Sequence, residues 1–137
     1  MPSAFVDTNI LVYAAEEVVP LPPKARAARE LLLRRGLCLS VQVLNEFVAN
    51  ARNPAKLNLT RAQEGEWVSQ WLRLHVLPLT SDSFMGALEI HLRYGLSHWD
   101  SLIIACANHA NCEILYSEDL NHGQTYGTAR VVNPFLP

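Results

Sequence analysis

The sequence predicts an α/β domain on a mainly parallel sheet, because short apolar runs alternate with longer segments of helical period from end to end. Two further observations support this. The strand candidates are apolar throughout, as strands buried on both faces are, and the segments between them carry readable helix starts and stops. The candidates are Ala4 to Asp7, Leu37 to Ser40, Leu74 to Leu77, Glu113 to Ser117 and Arg130 to Val132.

In order along the chain, the first strand closes at Asp7 and a helical pattern follows at once through Ile10, Leu11 and Tyr13. Glu16 to Leu21 reads as a loop. Pro22 and Pro23 open a helix from Lys24 to Arg35, with Arg34 and Arg35 at its negative end and Gly36 after it. Ser40 caps a helix running to about Arg52, stopped by Asn53 and Pro54. Its apolar stripe, Val41, Leu44, Val48 and Ala51, leaves Glu46 on the solvent side. Thr60 and Gln63 form a capping-box pattern ahead of a helix that carries Trp67, Val68, Trp71 and Leu72 on one side. The segment Asp82 to Tyr94 ends at Gly95, and Ser97 opens the last helix, Trp99 to Ala110. With no linker or repeat, residues 1–137 are expected to form a single domain.

At 137 residues, 50% hydrophobic and 18% charged, the chain is long enough to bury a core without staples. Three cysteines without a CxxC spacing argue against a disulfide framework and for a reducing compartment, here read as the cytoplasm. No basic segment precedes a long apolar run, so neither a signal peptide nor a membrane span is expected. The net charge of -2 gives no strong pull toward nucleic acid. Setting four acids aside in one site, however, leaves 11 basic residues against 13 - 4 = 9 acidic ones.

Asp7 follows a buried strand, and open parallel sheets bind ligands at the carboxyl ends of their strands. Asp119 repeats the arrangement after Ile114-Leu115-Tyr116-Ser117. Asp100 opens a helix that is apolar nearly all the way round, Trp99-Asp100-Ser101-Leu102-Ile103-Ile104-Ala105-Cys106-Ala107. Each has a purely local alternative: Asp7 as a helix cap, Asp119 as an Asx-turn residue, Asp100 in a capping box with Ser97. Gathered together, carboxylates about 4 Å apart repel by roughly 4 kcal/mol each at an effective dielectric of 20, and so require protons or cations. Hard oxygen donors without a matching Cys and His set point to Mg2+ or Mn2+, ions that orient a phosphodiester and activate water. Cys106, His109 and Cys112 lack zinc spacing. Trp67 and Trp71 read as core or interface, and the basic side chains Lys24, Arg26, Arg29, Arg34 and Arg35 as a solvated face.

Four segments in order, Phe5-Val6-Asp7-Thr8-Asn9-Ile10-Leu11-Val12-Tyr13, Asn45-Glu46-Phe47, Ser97-His98-Trp99-Asp100-Ser101-Leu102-Ile103-Ile104-Ala105 and Tyr116-Ser117-Glu118-Asp119-Leu120-Asn121-His122-Gly123, resemble the PIN domain. More narrowly, they resemble the VapC-type toxins of bacterial toxin-antitoxin pairs. The resemblance implies a three-layer α/β/α fold around about five parallel strands, and Mg2+- or Mn2+-dependent endoribonuclease activity. It also implies a homodimer neutralised by a small antitoxin. Its acidic site falls on Asp7, Glu46, Asp100 and Asp119, with Asp7, Asp100 and Asp119 as metal ligands and Asn9 and Ser117 as polar supports. Two positions depart from it. Asn121 stands where many relatives carry a further acid, and His98 where an aromatic or apolar residue is common. Asn121 motivates an alternative, a catalytically weak PIN-fold module that binds RNA or protein. A phosphotransferase with Asp7 as nucleophile would resemble a D-x-D opening, and Asn9 replaces its second acid.

Overall fold

The structure, a computed structural model, describes residues 2–137. Its elements are β1 (Ala4–Val6), α1 (Thr8–Ala14), α2 (Pro23–Leu31), β2 (Leu37–Ser40), α3 (Val41–Arg52), α4 (Arg61–Trp71), β3 (His75–Leu77), α5 (Ser81–Tyr94), α6 (His98–His109), β4 (Ile114–Tyr116), β5 (Thr125–Tyr126) and β6 (Ala129–Val132). Among the described residues these make one six-stranded sheet in the order β3-β2-β1-β4-β6-β5. All pairings are parallel except that of β5 with β6. Helices flank the sheet in three α/β/α layers, with α1 to α4 packed as one group and α5 against α6 as another.

The central strand is β1, with Phe5 paired to Cys38 on one side and to Leu115 on the other. The chain builds outward from β1 through β2 to β3, then crosses back to add β4 and β6 on the opposite side. That reversal opens a crevice beyond the carboxyl ends of β1, β2 and β4, the place where open α/β sheets take ligands. Phe5, Val6, Leu39, Leu115 and Val131 are fully buried in the strands, and Ile10, Leu11, Val43, Phe47, Ile103 and Ile104 cover them from the helices. At about 1.5–3 kcal/mol for each fully buried large apolar side chain, this core is the main favourable term of folding.

The helix signals act locally as expected. Thr60 and Gln63 form both halves of the capping box, Thr80 and Ser97 cap α5 and α6, and Gly95 ends α5 in the left-handed region at φ 70°. Three expectations need correcting. Helix α2 stops at Leu31, because Leu33 and Arg34 N–H groups turn back to Glu30 and Leu31 carbonyls in tighter bonds. Arg34 therefore lies past the helix and donates to the Tyr116 hydroxyl at 3.0 Å, while Arg29 occupies the last turn. Leu72 caps α4 and is 58% exposed, off the face where Trp71 is buried. Thr125–Tyr126 forms a sixth, antiparallel strand that its two-residue length hides from any periodicity.

Trp67 stacks on Trp71 at 5.4 Å between centroids, and Trp71 meets Phe47 edge-on at 5.6 Å, so this pair belongs to the packing of α4 on α3. The three cysteines are buried free thiols. Cys112 faces Cys38 at 3.3 Å between sulfurs. Among the described residues no helix is long and apolar enough to cross a membrane.

Candidate active site

A cleft of about 560 Å3 opens at the carboxyl ends of the central strands, and Asp7, Glu46, Asp100 and Asp119 all line it, together with Asn9. They arrive from β1, α3, α6 and the turn after β4, so the cleft exists only because β1 lies between β2 and β4. Among the described residues none of the four forms an ion pair with a basic side chain.

Asp7 immediately follows β1 and is 4% exposed. Its carboxylate accepts the Thr8 N–H at 2.7 Å and the Ser117 hydroxyl at 2.7 Å. It thus caps α1 and also lines the cleft, so the capping role leaves it available there. Burial pushes its pKa up to about 7; the Ser117 and Thr8 hydrogen bonds oppose this, and the neighbouring Asp119 and Glu46 charges add to it. Asp100 is raised for the same reasons, burial first, then Asp119, with Glu46 adding less. Ser97 Oγ accepts the Asp100 N–H at 3.1 Å, the backbone half of a capping box, which leaves the carboxylate on the cleft wall.

Asn9 links the two strand-end acids. Its amide donates to Asp119 Oδ2 at 3.0 Å and more weakly to Asp7 Oδ2 at 3.4 Å, while its carbonyl oxygen accepts the Glu118 N–H at 3.3 Å. Ser117, fully buried, donates to Asp7 and accepts the Asp119 N–H at 3.1 Å. One turn is therefore braced from both sides.

Glu46 is half-buried, contrary to the solvent-facing expectation. The buried side of α3 is Gln42, Val43, Phe47 and Ala51, whereas Val41 is exposed, so the true apolar stripe is rotated toward Glu46. Thr8 donates its hydroxyl to Glu46 Oε1 at 2.6 Å. Gln42 donates weakly to Oε2 at 3.4 Å and to the Trp99 carbonyl at 3.1 Å, tying α3 to the start of α6.

Several lining or bracing residues carry no sequence signal: Thr8, Gln42, Asn50 and Lys56. A fifth acid, Glu118, turns away from the four. It accepts the Tyr13 hydroxyl at 2.6 Å and pairs with Lys24. Burial raises the Glu118 carboxyl, but Lys24 and Tyr13 outweigh it and hold it below the usual range. Lys24 also lies over the Tyr13 and Phe135 rings at 5.1 and 5.5 Å. Asn121 bonds to Gln124 at 3.0 Å, and neither it nor His98 lines the cleft. His98 is half-buried at the first position of α6, edge-on to Phe84.

A family model described as the PIN domain matches residues 4–127, a span that includes all four cleft carboxylates. The chain belongs to the PIN domain family. Comparison with curated protein sequences gives no match. Among solved structures, this PIN domain is similar in fold to a toxin-antitoxin complex from Klebsiella pneumoniae, at 20% identity and a TM-score of 0.74 over 97% of this chain and 98% of that one. It is also similar to VapC20 of Mycobacterium tuberculosis, described as a sarcin-ricin loop cleaving toxin, at 18% identity and a TM-score of 0.69 over 85% and 90% of the two chains. A DNA-bound VapBC from Salmonella typhimurium matches at 19% identity and a TM-score of 0.69 over 96% and 97%.

The donor chemistry of the PIN cleft fits a hard divalent cation. Its acids are oxygen donors without a basic partner among the described residues, and burial and mutual repulsion disfavour the charged forms of Asp7 and Asp100. Among the described residues no three His, Cys, Asp or Glu groups stand close enough to enclose an ion as they are.

Proposed function

We propose that this PIN domain, residues 1–137 acting as one unit, is the toxin of a type II toxin-antitoxin pair and hydrolyses RNA phosphodiesters in a metal-dependent reaction in the cytoplasm. The observation that carries the reading is the meeting of Asp7, Glu46, Asp100 and Asp119 on one cleft without an ion-pair partner among the described residues. The similarity in fold to toxin-antitoxin proteins supports it.

In this reading Asp7, Asp100 and Asp119 would hold Mg2+ or Mn2+, and Glu46 would complete the acidic set. When bound, the ion supplies Lewis-acid polarisation of the phosphoryl oxygens and activation of water. The protein's own work is positioning. Ser117 and Thr8 N–H fix the Asp7 carboxylate, Asn9 holds Asp119 beside it, and Thr8 with Gln42 keeps Glu46 turned to the cleft.

A small antitoxin is the expected partner, and an arginine from it placed among the carboxylates would supply the neutralising charge by bidentate hydrogen bonds. The exposed apolar residues Phe84, Met85 and Leu88 of α5, with Trp99, supply the surface for a homodimer.

The test is incubation of purified, antitoxin-free protein with total RNA and Mg2+ or Mn2+, mapping new ends by sequencing. Ends that vanish with EDTA and in Asp7→Asn support the proposal. Ends that persist in both controls, or none with either ion, refute it in favour of a binding module. That second reading draws on Asn121, an amide at the motif position where many relatives carry a further acid; its side chain is bonded to Gln124.

A further inference from the structure

The acidic cleft carries one cation among its lining residues, Lys56. Lys56 sits on the turn between α3 and α4, where its N–H donates to the Asn53 carbonyl at 2.9 Å. The same connection folds back on the last turn of α3, with Leu57 and Leu59 N–H groups bonding to Asn50 and Ala51 carbonyls at 3.3 and 2.8 Å. It leads to a second hollow of about 580 Å3 lined by Arg52, Leu59, Arg61 and Glu64. Arg52 is committed to Glu64 by two hydrogen bonds of 2.8 and 3.1 Å. Among the described residues Lys56 and Arg61 have no ion-pair partner. Arg61 moreover opens α4, where the positive end of the helix dipole disfavours a cation.

A nucleic-acid strand entering a cleft of four acidic side chains is repelled wherever its phosphates come within about 8–10 Å of them at physiological ionic strength. A divalent ion at the carboxylates relieves only the phosphate beside it, and flanking phosphates need protein cations. We propose that Lys56 and Arg61 form a phosphate track along the α3–α4 connection, Lys56 gripping a phosphate that flanks the reacting one at the cleft and Arg61 guiding the strand away from it. The track deepens the nuclease reading and rests on it for the identity of the strand as RNA. It makes affinity for single-stranded RNA dependent on a wall of the cleft that holds no metal ligand.

The experiment measures binding of a short fluorescein-labelled single-stranded oligoribonucleotide by anisotropy, in EDTA, across a salt series. The Lys56→Ala/Arg61→Ala double variant is expected to bind about tenfold more weakly, with a salt slope smaller by about 1.4, two contacts at about 0.7 each. Arg35→Ala removes one exposed charge just before the amino end of β2, away from the cleft at the carboxyl ends of the strands, and is expected to bind as the parent does. Circular dichroism checks that all variants are folded. Equal affinity of the double variant and the parent overturns the track, as does an equal loss per charge in Arg35→Ala, or no binding by the parent. Cleavage of total RNA is read separately: a track that binds as expected in a protein that never cuts leaves the track standing and removes the nuclease reading.

Discussion

The Thr8 hydroxyl donates to Oε1 of Glu46 at 2.6 Å, joining the first turn of α1 to the middle of α3 across the floor of the cleft. Thr8 is 8% exposed, and the bond spans 38 positions of sequence. It is the contact that turns an acid on a helix flank into a member of the site.

Thr8→Val keeps the shape and removes the hydroxyl. A hydrogen bond to a charged group contributes about 1.5–3 kcal/mol, and water can replace part of it at the half-buried Glu46, so a loss of about 1–2 kcal/mol in urea unfolding is expected. Mn2+ affinity by titration calorimetry should fall roughly tenfold, the lower end for groups that orient ligands. Unchanged Mn2+ affinity would show that Glu46 does not serve the ion.

Asp7 has a folded-state pKa of about 7 against 3.8 for the ordinary carboxyl. The folded protein therefore keeps a proton that the unfolded chain releases, and stability falls as pH rises from about 4 to about 7 and then levels off. In EDTA the parent should be a few kcal/mol more stable at pH 5 than at pH 8, since each tenfold difference in proton affinity between the folded and unfolded chains is worth about 1.4 kcal/mol. Asp7→Asn cannot release this proton and should flatten most of that slope. A parent whose urea midpoint rises between pH 5 and pH 8 would contradict the burial argument.

Glu118→Ala frees the turn that carries Asp119 from Tyr13 and Lys24. The pair with Lys24 is partly exposed, 48% and 24% for the two side chains, and should matter little to stability. The expected effect is on Asp119: weaker Mn2+ binding with a nearly unchanged melting temperature. Tyr13→Phe, which removes only the 2.6 Å hydroxyl bond, should show a smaller version of the same split.

Gly127 has φ 63°, and a Cβ there would come within 2.5 Å of Asn108 Nδ2. Asn108 Oδ1 accepts both the N–H and the hydroxyl of Thr128 at 3.0 Å, so the side chain cannot withdraw freely. Gly127→Ala is expected to cost about 2 kcal/mol through strain and the displaced amide, visible as a lower urea midpoint. Cleavage by the folded fraction should persist, since this turn is not among the residues that line the cleft.

Asp7, Asp100 and Asp119 are legible in the sequence because each stands at an element boundary, and boundaries announce themselves through apolar runs and caps. Glu46 is not. The buried side of α3 includes Gln42, a polar residue that periodicity assigns to solvent, and excludes Val41, an apolar one that periodicity assigns to the core. A helix wedged between α1, α4 and β2 buries a wider front than one apolar stripe describes, and only the ordered family motif points to the acid there. Lys56 sits in a turn, where no period exists to read. Strand β5 is two residues long, and its pairing depends on β6 rather than on its own composition.

The central position of β1 has a consequence for how the protein comes into being. Asp7 precedes Asp119 by 112 positions in the sequence. Because β4 must settle beside β1 before the last carboxylate reaches its companions, a half-made chain contains the pieces of the cleft but not the cleft. Any chemistry carried out there begins only after that closing strand is in place, so its onset is tied to completion of the sheet rather than to the synthesis of any one acidic residue.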